Sequence, residues 1–344
     1  MITQEKDMMK AWQLKGFGLE NLKLENIQIP VPQAHEVLIK VGAVSLNFRD
    51  KAIVEGFYEP DMVPNPLIPV SDAAGTVVQV GEGVTRFKIG DRVTSHLYSK
   101  WIDGAPGPNE PDYCFGSPLP GGLAEYMIIH EDSAVMAPST LTDEEASTLP
   151  IAALTAWYSL VTYGKLQKGD TVLIQGTGGV SIFGIQIASA LGARVIVTTS
   201  SDEKGERARE LGAAEIINYS KIKDWASEVK RLTDGKGVDQ LLEVVGGAGL
   251  NDSVQATKVT GQISLIGFMA GQSTNLNLME VIFRQTKIQG IAVGNRSAFE
   301  EMNRAFDQFA IKPVIDTVYA MDDAKKAYEH LSRGAFGKIV IKVS

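Results

Sequence analysis

Thr171-Val172-Leu173-Ile174-Gln175-Gly176-Thr177-Gly178-Gly179-Val180-Ser181 is the stretch on which the fold turns. Its first five residues form a short, mostly apolar run, the length and composition of a buried strand. A glycine turn follows at once, and residues 182–191 then carry apolar side chains at helical spacing. Strand, glycine turn and helix in that order open a βαβ unit. In such a unit Gly176 permits the tight turn and Gly178 lets the backbone approach a pyrophosphate. Thr177, Gly179, Val180 and Ser181 lie at the helix start, where unpaired amides and the positive dipole end favour phosphate. The sixth position of the glycine pattern is Ser181 rather than Gly, so the reading rests on the order of elements more than on the glycines alone.

Working outward, strand patterns recur at 194–199, 215–218, 238–245, 262–266 and 287–293, with helical patterns between most of them. That alternation predicts an α/β domain over residues 136–294 with a parallel, doubly wound sheet. Upstream, residues 9–131 show short apolar alternations broken by Gly and Pro, as in Glu36-Val37-Leu38-Ile39-Lys40-Val41, and read as mostly β. The Pro- and Gly-rich stretch 101–122 reads as loop. Leu141-Thr142-Asp143-Glu144-Glu145 opens a helix, and the small and apolar residues after it predict one long linking helix through Leu160. The tail from 295 adds helix, strand, helix and strand. We assign it to the first domain, giving 1–135 with 295–344.

Length and composition agree with two cores. The 344 residues exceed what one core ordinarily serves, and 44% apolar with 22% charged residues is the balance of a globular protein. The net charge of -8 is spread along the chain, so no basic face is offered to nucleic acid or anionic lipid. No apolar run approaches the roughly 20 residues of a membrane span, and residues 1–10 are too polar for a signal peptide. Neither nucleic acid nor membrane is an expected partner, and the cytoplasm is the expected location. Cys114 is the only cysteine, which rules out an internal disulfide and a cysteine-rich zinc site.

The second strand of the nucleotide unit ends in Ser200-Ser201, with no acid before Asp202. An acidic side chain at the strand end would bind the ribose 2′-hydroxyl of NAD. Hydroxyls with Lys204 nearby suit a 2′-phosphate instead, so the expected cofactor is NADP(H). The same serines also suit the cap of the helix that begins near Asp202.

With these residues in hand, the chain resembles the medium-chain dehydrogenase/reductase family, specifically its zinc-free quinone oxidoreductase-like members. The likeness rests on Met9-Lys10-Ala11, Leu46-Asn47-Phe48-Arg49-Asp50, Gly81-Glu82-Gly83-Val84, Gly90-Asp91-Arg92-Val93, Leu154-Thr155-Ala156, the glycine turn and Gly337-Lys338-Ile339-Val340. It implies a GroES-like, mostly β first domain, a Rossmann second domain, a cleft between them and a homodimer joined through the Rossmann sheets. It further implies that Thr155 and Val293-Gly294-Asn295 flank the nicotinamide. Val245-Gly246 and Gly267-Phe268-Met269 would line the adenosine and ribose turns, Tyr219 the adenosine end, and Lys338 the mouth of the cleft.

The resemblance also exposes what is missing. Zinc alcohol dehydrogenases place catalytic ligands at positions that are Asn47, Ser71 and Ile151 here, with Asp72 where their second-shell Glu lies. Catalytic zinc needs about three His, Cys or carboxylate ligands, so no metal is expected. The four histidines, His35, His96, His130 and His330, show no metal-like spacing. Without a Lewis acid, removing a proton from a plain alcohol is difficult at neutral pH. The Tyr-and-Lys device of other reductases occurs only as Tyr219 and Lys223, a chance match. Quinones and α,β-unsaturated carbonyls ask for less, because their reduced anion is already delocalised and needs only hydrogen-bond donors at the carbonyl oxygen. Asn47 and Tyr58 are the candidate donors, His96 a candidate acid or substrate contact, and Arg49 and Asp50 order their loop. NADPH-dependent reduction of a small carbonyl or quinone substrate is therefore expected. The alternatives are a zinc-independent alcohol or carbonyl dehydrogenase and an NADPH-binding sensor or structural protein.

Overall fold

Alternating burial along the first part of the chain makes strands, as the apolar spacing requires. A computed structural model of the chain describes residues 7–57 and 60–344; Tyr58 lies outside the described residues. The first segment contains β1 (Met8–Leu14), β2 (Leu22–Gln28), β3 (Glu36–Leu46), α1 (Phe48–Val54), β4 (Asp72–Val80), β5 (Arg92–Ser95), β6 (Tyr126–His130), β7 (Ala134–Met136) and α2 (Asp143–Ala146). After these come α3 (Leu154–Trp157), β8 (Thr171–Gln175), α4 (Gly179–Ala190), β9 (Arg194–Thr199), α5 (Asp202–Glu210), β10 (Glu215–Asn218), α6 (Trp225–Leu232), β11 (Val238–Glu243), α7 (Leu250–Ala256), β12 (Thr257–Leu265), α8 (Leu278–Arg284) and β13 (Lys287–Gly290). The tail holds α9 (Arg296–Phe309), β14 (Ile315–Ala320), α10 (Ala324–Arg333) and β15 (Lys338–Lys342).

The chain divides into two units, one of residues Met1–Ile151 with Asn295–Ser344 and the other of Ala152–Gly294. The first boundary falls later than residue 136 because α2 packs on β3, β4 and β15 of the first unit. In that unit β3 is the central strand. It pairs antiparallel with β4 along one edge; on the other, β6 takes Glu36 to Lys40 and β15 takes Ala43 to Leu46. Its apolar side chains, among them Val41, Val44 and Leu46, are buried with Ile53, Ile339, Ile341 and Tyr328 in one core. Burying each such side chain is worth roughly 1.5–3 kcal/mol.

The second unit is a six-stranded parallel sheet in the order β10-β9-β8-β11-β12-β13. The chain thus leaves in one direction from β8 to β10 and in the other from β11 to β13. The reversal falls between β8 and β11, where open α/β sheets bind ligands beyond the carboxyl ends of their strands. The inner strands β8, β9 and β11 are buried almost throughout, as expected of a sheet covered on both faces, whereas the edge strands β10 and β13 are largely half-buried or exposed.

Two local expectations are corrected. The single linking helix is instead broken into α2, a π-helical stretch Leu149–Ala153, α3 and a second π-helical stretch Tyr158–Tyr163. Pro150 offers no amide to continue the α-helical ladder, which accounts for the first break. β11 ends at Glu243, not at residue 245, because the Glu243 carboxylate captures the amides of Val245 and Gly246 and turns the chain. Among the described residues no helix is long and apolar enough to cross a membrane.

Candidate functional site

In a parallel sheet all carboxyl ends lie on one edge, and the chain delivers there most of the residues singled out from sequence. Gly176 to Ser181 follow β8, Ser200 to Lys204 follow β9 and Tyr219 follows β10. Val245 follows β11, Gly267 to Met269 follow β12, and Val293-Gly294 follow β13. Thr155 is buried on α3, which packs on α4.

Gly176 turns the chain at φ +71°, a conformation that a side chain would strain. Ser181 is buried and its hydroxyl donates to the Gln175 carbonyl at 2.7 Å, closing the turn from inside. The first helical bond of α4 runs from the Ile182 amide to the Gly178 carbonyl at 2.9 Å. The amides of Gly179, Val180 and Ser181 therefore precede the ladder and point from the helix start. A Cβ added at Gly178 would meet no atom within 4 Å, so the space over that start is open. Unpaired amides, a dipole end and open space fit a pyrophosphate.

At the end of β9 the Ser201 side chain accepts from the Lys204 amide at 3.3 Å, capping α5, while Ser200 is exposed. Both readings of the pair are thus compatible: one serine caps and the other is available. Asp202, the nearest acid, accepts from the Lys221 ammonium and from Asn218 Nδ2 at 2.6 Å. These two partners, Lys221 foremost, hold its carboxyl below the usual range. Tyr219 is exposed, and its amide donates to the Thr199 carbonyl at 2.9 Å. Lys223 lies outside any helix, so the Tyr-and-Lys pair does not share a helical face.

Beneath these turns lies a group that the sequence reading missed. Glu243 is fully buried and accepts from Gln175 Nε2 at 3.0 Å, from the amides of Val245 and Gly246 at 3.0 and 2.9 Å, and from the Ser253 hydroxyl. Gln175 Oε1 in turn accepts from the Val244 amide at 3.3 Å. One carboxylate thereby ties the turn after β11 to the end of β8. The β12 turn presses on the same place: a Cβ at Gly267 would stand 1.9 Å from the Val244 carbonyl. An acid closing the apolar strand 238–243 was the available signal.

The first unit gathers a second set of polar groups at the junction of β3 and α1. Asn47 is 8% exposed, Lys338 3%, and Asp50, Ser71 and Asp72 are fully buried. Lys338 Nζ donates to the Leu46 carbonyl at 2.7 Å and to Asn47 Oδ1 at 2.5 Å. Asn47 Nδ2 donates to Asp72 Oδ2 at 2.9 Å, and the Ile151 amide donates to the same oxygen at 3.2 Å. Asp50 accepts from the amides of Asn47 and Ser71 at 2.7 and 3.3 Å. Burial pushes Asp72 up to about 7 against the pull of Lys338, and pushes Asp50 up against the pull of Arg49. Burial also lowers Lys338, opposed by the two carboxylates. Arg49 reaches the carbonyls of Phe115 and Ser117 at 3.0 and 2.6 Å, fixing the Pro- and Gly-rich stretch.

Three residues expected near the substrate or the nicotinamide also make contacts within the fold. Lys338 is buried against Asn47, with the Asp72 and Asp50 carboxyls near its ammonium. His96 has no exposed surface and stacks obliquely on Phe299, ring centroids 6.2 Å apart. Asn295 spends its amide on the fold, accepting from Ala298 at 2.8 Å as the cap of α9 and donating to the Gly104 carbonyl at 3.2 Å. As for metals, no group of three His, Cys, Asp or Glu among the described residues could hold an ion. Asn47, Ser71 and Ile151 offer an amide, a hydroxyl and a hydrocarbon, a set that does not fit catalytic zinc.

Comparison with known proteins agrees with this architecture. Residues 33–139 match the alcohol dehydrogenase GroES-like domain and residues 179–308 match a domain described as zinc-binding dehydrogenase. A zinc-type alcohol dehydrogenase-like protein of Schizosaccharomyces pombe is 40% identical over 336 residues, covering 95% of this chain and 96% of that protein. The quinone oxidoreductase of Rattus norvegicus is 31% identical over 99% of both chains. The crystal structure of a putative alcohol dehydrogenase from Sinorhizobium meliloti 1021 covers both chains completely, with 42% identity and a TM-score of 0.92. Fold, nucleotide edge and whole-length similarity together place the chain in the medium-chain dehydrogenase/reductase superfamily: it belongs to that family of nicotinamide-dependent oxidoreductases.

Proposed function

We propose that this protein is an NADPH-dependent reductase of quinones or α,β-unsaturated carbonyls that works without a metal. The observation that carries the reading is the pairing of an amide-donating buried cluster at Asn47 with a donor set unsuited to zinc. NADPH, when bound, supplies the hydride at nicotinamide C4, and the acceptor's electron pair moves onto its carbonyl oxygen while solvent supplies the proton. The amides at Gly179 to Ser181 bind the pyrophosphate, and Ser200, Ser201 and Lys204 bind the 2′-phosphate. Asp202 does not compete there, since Lys221 and Asn218 already occupy its carboxylate. Asn47 donates to the acceptor's oxygen as negative charge grows on it. The name of the rat relative supports the quinone acceptor.

Purified protein treated with a chelator and assayed with NADPH tests this directly. We expect turnover of 1,4-benzoquinone and 2-cyclohexen-1-one, little with butanal, and no change on adding zinc. Butanal as the best acceptor would favour the zinc-independent alcohol or carbonyl dehydrogenase, a reading that the alcohol dehydrogenase-like relatives support. Tight NADPH binding without turnover would favour a sensor, and activity regained only with zinc would defeat the metal-free reading.

The assembly proposed is a homodimer, acting in the cytoplasm, where the lone buried Cys114 stays reduced. β13 pairs only with β12 among the described strands and leaves one edge open. The neighbouring α8 buries none of its residues and exposes Leu278, Met279, Ile282 and Phe283, the last at 74%. An open edge beside an apolar helix is an aggregation hazard unless covered, and a second copy covers it symmetrically. Light scattering on the native protein should give twice the chain mass, and Ile282→Glu with Phe283→Glu should give monomer. A native monomer at micromolar concentration would reject the dimer.

A further inference from the structure

The Asn47 amide sits between two neighbours of opposite hydrogen-bonding character. Lys338 Nζ can only donate, and it meets the amide oxygen at 2.5 Å. Asp72 Oδ2 meets the amide nitrogen at 2.9 Å. That oxygen also accepts from the Ile151 amide at 3.2 Å, so it is an acceptor whichever charge state Asp72 holds; a proton on the carboxyl would sit on Oδ1, toward the Ser71 hydroxyl at 3.3 Å. Turning the amide over would set its NH2 against an ammonium and its oxygen against a carboxyl oxygen, two mismatches inside the protein. Lys338 is itself fixed by the Leu46 carbonyl at 2.7 Å and the two carboxyls near it.

From this arrangement we infer that Lys338 and Asp72 are positioning residues that fix the sense of the Asn47 amide, so that its remaining N–H is what the substrate meets. The inference rests on the proposed role of Asn47 and deepens it. An amide has two N–H groups and one is given to Asp72, leaving one donor, while its oxygen faces the Lys338 ammonium. Such a group recognises a carbonyl oxygen, which carries no proton. The site accordingly suits acceptors that present a carbonyl oxygen, among them the quinones and enones of the proposed reaction. Lys338 reaches the substrate only through Asn47, which makes it a positioning group and not a catalytic one.

A double-variant cycle decides the matter, with 1,4-benzoquinone as acceptor and NADPH affinity and melting temperature recorded for each protein. Asn47→Ala should lower kcat by about 100-fold, the usual cost of one lost oxyanion donor, with NADPH affinity unchanged. Lys338→Met should lower kcat about 10-fold or more, and Lys338→Arg should restore part of the loss. The combined Asn47→Ala, Lys338→Met protein should be no slower than Asn47→Ala within about threefold, because the second change acts only through a group already removed. Losses that multiply, or an unaltered kcat in Lys338→Met, would overturn the inference while leaving Asn47 as donor. An unaltered kcat in Asn47→Ala would overturn the donor reading itself. Should Lys338→Met fail to fold, the same cycle with Asp72→Asn carries the test, with the same non-multiplying loss expected and multiplying losses again decisive against it.

Discussion

Gly178→Leu should keep the fold and lose the dinucleotide, weakening NADPH binding at least about 100-fold, or roughly 3 kcal/mol. The structure makes this a clean substitution. Gly178 has φ -78° and ψ -174°, which any residue adopts, and a Cβ there meets no protein atom within 4 Å. Leu is a poorer helix cap than Gly, so stability should fall by no more than about 1 kcal/mol. The added side chain would enter the open space beside the helix start, where the proposed diphosphate would lie. Titration calorimetry with NADPH, alongside thermal unfolding, separates the two effects. Undiminished affinity in a folded variant would mean that the nucleotide does not use this helix start. Gly176→Leu would be a poorer test, since φ +71° strains the backbone as well.

Ser200→Asp should reverse cofactor preference, shifting the NADPH to NADH affinity ratio by on the order of 100- to 1,000-fold. A carboxylate at the end of β9 hydrogen-bonds a ribose 2′-hydroxyl and repels a 2′-phosphate, and a like-charge juxtaposition costs several kcal/mol. Ser200 is exposed and its side chain caps nothing, whereas Ser201 holds the Lys204 amide. The change therefore alters charge without unlocking α5. Affinities for both dinucleotides, measured at one ionic strength because exposed charges are screened by salt, provide the readout. An unaltered ratio would place the 2′-phosphate away from this turn.

Much of the nucleotide-binding unit was legible because its elements are local. The inner strands β8, β9 and β11 are short runs of mostly buried residues, and glycines mark where the chain must turn tightly. The bounds of β8, β9 and β10 could be read directly for that reason. The carboxyl end of β11 could not, because Glu243 ends the strand through hydrogen bonds to its own following amides, a side-chain effect outside any apolar pattern. The broken linking helix was hidden too, since its residues have helical composition throughout and Pro150 alone betrays the interruption. In the other unit the position of Lys338 was the least legible. Lysine is ordinarily a surface residue, and only the pairing of β15 with β3 shows that this one is carried inward against Asn47 and two carboxyls. The resemblance supplied the identity of that residue; its neighbours came from the fold.

The same strand pairing bears on how the chain matures on the ribosome. Lys338 and Leu46 are 292 positions apart, and β15 occupies the edge of β3 that no earlier segment covers from Ala43 to Leu46. The parallel sheet can settle as soon as residue 294 has emerged, since every strand in it is then synthesised. The other sheet must wait for residues 338–342, with Asp50 and Asp72 lacking their cation and the flank of β3 bare until then. A stalled or truncated product would thus carry one finished half and one sticky half, and degradation of such products should begin at the amino-terminal half.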